Sequence, residues 1–92
     1  MNLDLLDARL ERAFDATPSE RQVVVRQAGD LHDSGRFAAL RGRELTLGDV
    51  VENLREAPED LGLVERWNWW MGALALAHDG FDPFRVRRYR EE

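Results

Sequence analysis

Two histidines lie among acids, His32 in Asp30-Leu31-His32-Asp33 and His78 in Ala77-His78-Asp79-Gly80-Phe81-Asp82. Imidazole with carboxylate is a donor set that zinc and other first-row metals accept. A metal site would need the two segments to meet, and their spacing follows no metal motif. Each histidine falls in the last turn of an expected helix, where the dipole favours positive charge, and that position accounts for it without a ligand. Eighteen acids offer carboxylates for general acid–base work, yet nothing singles out two of them. The serines, Ser19 and Ser34, fall in a helix start and a turn, and there is no nucleophile motif or glycine loop that would cradle a phosphate. No reaction is spelled out, so the expectation is a non-enzymatic protein with no cofactor, no metal and no small-molecule substrate.

A second chemistry belongs to the C-terminus. Arg85, Arg87, Arg88 and Arg90 are interleaved with Phe84 and Tyr89, and guanidinium groups pair with phosphates while aromatic rings stack on bases. Arg36, Arg41 and Arg43 could extend the patch. Against nucleic acid stands a chain of net charge −5, with Glu91 and Glu92 closing the arm. The expectation is a basic arm that makes structural or protein contacts, with nucleic-acid binding as the alternative.

The most apolar stretch runs Trp67-Asn68-Trp69-Trp70-Met71-Gly72-Ala73-Leu74-Ala75-Leu76-Ala77. At about 100° per residue, Trp67, Trp70, Met71 and Leu74 share one helix face, while Trp69, Ala73 and Leu76 turn toward the other. The first set, in line with Leu63, reads as core. The second, Trp69, Gly72, Ala73 and Leu76, is the candidate interaction surface, because a helix apolar on two sides must be covered from two sides. A second copy of the chain is the expected partner.

These faces need elements to present them. Leu3, Leu6, Leu10 and Ala13 or Phe14 recur at helical spacing among charges, giving a first helix that Thr17-Pro18 stops. Thr17-Pro18-Ser19-Glu20 is a capping box with proline at the first helical position, predicting a second helix from about 18 to 33 that Ser34-Gly35 ends. Residues 36–45 read as connection, with a short strand toward Leu47 left open. Thr46-Leu47-Gly48-Asp49 is a second capping box, with Leu45 and Val50 at the positions of a hydrophobic staple, and Ala57-Pro58 ends this third helix. Pro58-Glu59-Asp60 then reads as the first turn leading into a long fourth helix that runs to about Asp79, with Gly80 as its left-handed cap. Beyond Pro83, Phe84-Arg85-Val86-Arg87-Arg88-Tyr89 alternates like a strand placed to pair with Glu44 to Leu47.

Composition sets the outer limits. Ninety-two residues make one domain (1–92) with a single core, and the 34% charged residues are mixed in sign. Without cysteine there are no disulfides or thiolate sites, which fits a reducing, cytoplasmic setting. The acidic N-terminus does not read as a signal peptide, and the apolar run Trp69 to Ala77 is far below the roughly 20 residues of a membrane span. All thirteen basic residues are arginine, and lysine and isoleucine are absent, a bias typical of GC-rich genomes and compatible with life at high salt. The run Arg66 to Leu74 followed by Phe84 to Tyr89 resembles small uncharacterised proteins of haloarchaea. The resemblance covers the C-terminal third, implies a salt-rich cytoplasm and brings no activity with it. The fold expected is mainly α: a compact four-helix domain with the tryptophan helix central, a short C-terminal strand or arm laid over it, and room for a two-stranded ribbon.

Overall fold

Two reciprocal capping boxes fix where helices begin. In a computed structural model describing residues 1–87, Thr17 Oγ1 accepts the Glu20 N–H while Glu20 Oε1 accepts the Thr17 N–H, both at 3.1 Å. Thr46 and Asp49 repeat the exchange at 3.1 and 2.9 Å. Each pair satisfies main-chain donors that a helix start otherwise leaves unpaired. The elements are α1 (Leu3–Ala13), α2 (Pro18–Ser34), α3 (Arg36–Arg41), α4 (Leu47–Arg55), α5 (Leu63–Ala77) and a 3-10 turn (Asp82–Phe84). The mainly helical class is therefore observed. The Cα radius of gyration, 12.2 Å, matches the ~12 Å of a compact chain of this length.

Among the described residues there are five α-helices rather than four. Residues 36–41, read as connection, form α3, because Gly35 (φ +74°) ends α2 in the left-handed region and the chain immediately rewinds until Gly42 (φ +75°) ends it again. Buried Phe37 is what this short helix contributes to the core. α1 ends at Ala13, before Thr17-Pro18 is reached. α5 starts at Leu63, not at Pro58, with the Gly62 N–H held by Glu65 Oε1 at 3.0 Å. It ends at Ala77, where His78 turns extended, so Gly80 (φ +95°) belongs to the following turn and not to the helix cap. Among the described residues there is no strand: 84 closes the 3-10 turn, Arg85 is extended, 86 and 87 join no ladder, and the expected ribbon with Glu44 to Leu47 is absent. Residues 88 and 89 of the expected strand lie outside the described residues.

The core draws on every helix. Leu6 and Leu10 from α1, Val24, Ala28 and Leu31 from α2, Val50 and Leu54 from α4, and Trp67 and Met71 from α5 are all fully buried in one cluster. Leu45 and Val50, the staple positions, are both part of it. α5 packs on α2 and α4, and the 3-10 turn returns onto α2 and α5. Two arginines lace the connections. Arg21 is buried, donates to Asp7 Oδ1 at 3.0 Å and to the Ala16 carbonyl at 3.1 Å, and lies 3.5 Å from Glu11. Arg66 donates to the carbonyls of Leu61, Leu54 and Glu59 at 3.0, 3.0 and 3.2 Å, with its guanidinium over the Phe14 ring. These carbonyls lie at the end of α4 and in the connection to α5, where the regular helical ladder stops.

Candidate interaction surface

α5 divides its tryptophans as the periodicity predicts. Trp67 is fully buried and Trp70 is 4% exposed. Their rings meet edge to face, 5.4 Å between centroids at 88°, and Phe37 adds a second edge contact to Trp70 at 6.5 Å. Trp69 stands 39% exposed and Leu76 93% exposed. Ala73 between them is exposed and Gly72 is half-buried. The four candidate residues thus occupy positions i, i+3, i+4 and i+7 of one outward stripe, the spacing at which one helix presents a face to another.

At Gly72 the chain itself asks for no glycine. A methyl group there would first meet the Arg85 guanidinium at 3.9 Å, an ordinary contact. Glycine inside a helix is destabilising by about 0.5–1 kcal/mol relative to alanine. Intramolecular packing gives no return for that at position 72.

Asn68 is the residue the sequence reading passed over. Its Oδ1 accepts the Val86 N–H at 2.7 Å and its Nδ2–H donates to the Val86 carbonyl at 2.9 Å. One residue earlier in the motif, the buried Trp67 Nε1–H donates to the Phe84 carbonyl at 2.8 Å. Consecutive residues of α5 therefore grip the main chain of 84 and 86, with Phe84 and Val86 resting half-buried against the core. The available signal was an asparagine in the middle of an apolar helix, a poor helix former there unless its amide has a partner.

The two described arginines of the arm are exposed and share one acid. Arg87 lies 2.6 Å and Arg85 3.4 Å from the two Asp82 oxygens, and these guanidinium groups hold the Asp82 carboxyl below its ordinary pKa. Arg88 and Arg90 lie outside the described residues. Arg43, counted as a possible extension of the patch, instead forks Asp49 with two bonds of 2.7 Å and sits over the Phe37 ring. The hydrogen bond from Arg43, with those from the Thr46 amide and hydroxyl, pulls the Asp49 pKa down to about 2 against the opposing effect of burial.

The histidines have separate surroundings. His32 Nδ1 is 3.3 Å from its neighbour Asp33, and the His78 ring meets Phe81 edge-on at 6.4 Å. Among the described residues no three His, Asp or Glu side chains gather as a metal ligand set. No described helix is long and apolar enough to cross a membrane.

Fold and surface together define a small, mainly helical domain in which α5 is half core and half bare stripe, with the segment that follows it clamped beside the stripe. The family model for the WNWW domain matches residues 1–75. The chain belongs to the WNWW domain family, and Trp67-Asn68-Trp69-Trp70 carries that signature. Among curated proteins and solved structures, none matches the chain.

Proposed function

We propose that this chain is a non-enzymatic protein–protein interaction module that self-associates through the outward stripe of α5. The observation that carries the reading is the stripe itself: Trp69 and Leu76 exposed on either side of a glycine that the chain's own packing does not require. A second helix crossing at Gly72 and Ala73 would bring backbone close to backbone and let the two Trp69 rings cover apolar surface that each chain leaves in water. Tryptophan is also the side chain most often found at the energetic centre of such contacts. One helical stripe offers less than the ~800 Å² per partner of a standard interface, so the dimer should exchange with monomer at micromolar chain. Nucleic acid is the less favoured partner, because Arg85 and Arg87 already share Asp82. A reducing, salt-rich cytoplasm, as in the haloarchaeal proteins the sequence resembles, fits a chain without cysteine or lysine.

The test is mass in solution by sedimentation from micromolar to millimolar chain, at low and high salt. A dimer that survives salt and is lost in Trp69→Glu supports the proposal, because apolar contact is not screened by ions. A wild-type chain that stays monomeric at millimolar concentration refutes it.

A further inference from the structure

The segment that Trp67 and Asn68 hold is gripped entirely by its main chain. All three hydrogen bonds end on backbone atoms, the Phe84 carbonyl and both polar groups of Val86. Asn68 thereby presents to Val86 the donor and acceptor that a neighbouring strand would present, although α5 is a helix. A grip of this kind reads extension of the backbone and little else, as in strand-addition recognition of peptides. Around it the surface adds two apolar rests, for Phe84 and Val86, and a buried seat for Phe81, which is 2% exposed.

The gripped segment is also separable from the domain that grips it. The family match stops at residue 75, so both clamp residues lie inside it and residues 81–87 lie beyond it. The link between them is short and exposed: α5 ends at Ala77, His78 and Asp79 face solvent, and Gly80 turns at φ +95°. Rotation at Gly80 is open to a residue without a side chain and strained for others. At the end of that link the 3-10 turn 82–84 contacts α2 and α5, and Val86 is held by Asn68.

We propose that the Trp67–Asn68 clamp is a receptor for an extended peptide and takes residues 81–87 of a second copy in place of its own. Two chains that trade these segments keep the clamp hydrogen bonds and the buried seat of Phe81, because each clamp meets an identical backbone and each core receives an identical Phe81; the edge contact of His78 with Phe81, which spans the hinge, is given up. Such exchange is a low-cost route to a dimer, with the hinge at 78–80. It competes with the intramolecular arrangement, whose effective concentration is in the millimolar range for a short linker, so it is expected at high chain concentration or after partial unfolding and refolding. It does not depend on the Trp69 stripe.

The absence of cysteine gives a direct test on the full chain. Gln22 on α2 and Arg87 line one concavity between α2 and the clamped segment, and both are exposed. A chain carrying Gln22→Cys is mixed with a chain carrying Arg87→Cys at millimolar concentration, passed through mild denaturant, returned to buffer and oxidised. Exchange predicts a disulfide-linked heterodimer at least ten-fold above a control pair with Gln22→Cys and Arg41→Cys. Asn68→Ala in the Gln22→Cys chain removes the receiving clamp and should lower the yield several-fold, while Trp69→Glu in both chains should leave it unchanged. A yield no higher than the control pair overturns the proposal. A yield that depends on Trp69 and ignores Asn68 does so too, since it assigns the contact to the stripe and leaves the self-association reading standing.

Discussion

Replacing Asn68 by alanine tests the clamp where its energetics can be worked from the structure. The change removes one accepted and one donated hydrogen bond, of 2.7 and 2.9 Å, and leaves both polar groups of Val86 without their partner. A net hydrogen bond contributes about 0.5–1.5 kcal/mol, and water can replace part of it here because the site is half-buried, so the expected loss is about 1–2 kcal/mol. Alanine returns some tenths as the better helix former. Most of the loss should be local: the Val86 amide should exchange with solvent faster by at least ten-fold, while amides in the fully buried core keep their protection. Asn68→Asp sharpens the argument. A carboxylate still accepts from the Val86 N–H but opposes the Val86 carbonyl, whereas the protonated acid can donate to it. Its folded-state pKa should therefore rise above the ordinary ~3.9 of aspartate, and the deficit against wild type should be full above that folded pKa and shrink as pH falls through it. Urea titrations at several pH values, with hydrogen exchange at Val86, measure both effects. An Asn68→Ala chain of unchanged stability and unchanged Val86 exchange would refute the claim that the amide holds the segment.

Trp67→Ala should lower stability by about 3–5 kcal/mol as a large core site is emptied, whereas Trp69→Ala should stay within about 0.5 kcal/mol in the monomer and act on association instead; denaturation and sedimentation of both variants separate the two. Thr17→Ala and Thr46→Ala should each cost about 0.5–2 kcal/mol through the lost cap acceptor, and thermal or urea unfolding equal to wild type in both would contradict the capping geometry. Asp49, whose pKa falls from 3.8 to about 2, contributes stability that is present above its unfolded-state value and is lost as pH falls from about 4 through about 2; with Arg43 in solvent, screening reduces that contribution to about 1 kcal/mol. Stability measured against pH in wild type and Asp49→Asn should converge at the acid end of that window.

The parts of this fold that were legible in the sequence are those decided within one turn of chain. A capping box needs only residues three apart, so Thr17 with Glu20 and Thr46 with Asp49 could be read directly. The division of Trp67 and Trp70 from Trp69 follows from helical period alone. The misreadings lie where a distant partner decides. Residues 84–87 do alternate, with Phe84 and Val86 toward the core and the arginines outward, yet the group opposite is a side-chain amide on a helix, so no ladder forms. Periodicity cannot distinguish these two partners. α3 is not legible in the sequence because six residues between glycines carry too little pattern to separate a helix from a connection. Pro58 reads as the start of α5 for a local reason, a proline favoured in first turns, while the structure puts a turn there whose carbonyls Arg66 collects. That collection joins residues up to twelve apart and has no signature in local spacing.

Arginine in this chain carries two histories that the lacing of Arg21 and Arg66 allows one to separate. A nucleotide bias can place arginine wherever a cation is tolerated, and at exposed positions such as Arg9, Arg26 or Arg41 a drift to lysine would leave the fold as it is. Arg66 reaches three carbonyls with one planar fork, and Arg21 ties two carboxylates and a carbonyl together from a buried position. A single ammonium has neither the span nor the geometry for either task. Among relatives with a different base composition, these two positions are where arginine should persist after the rest has turned to lysine.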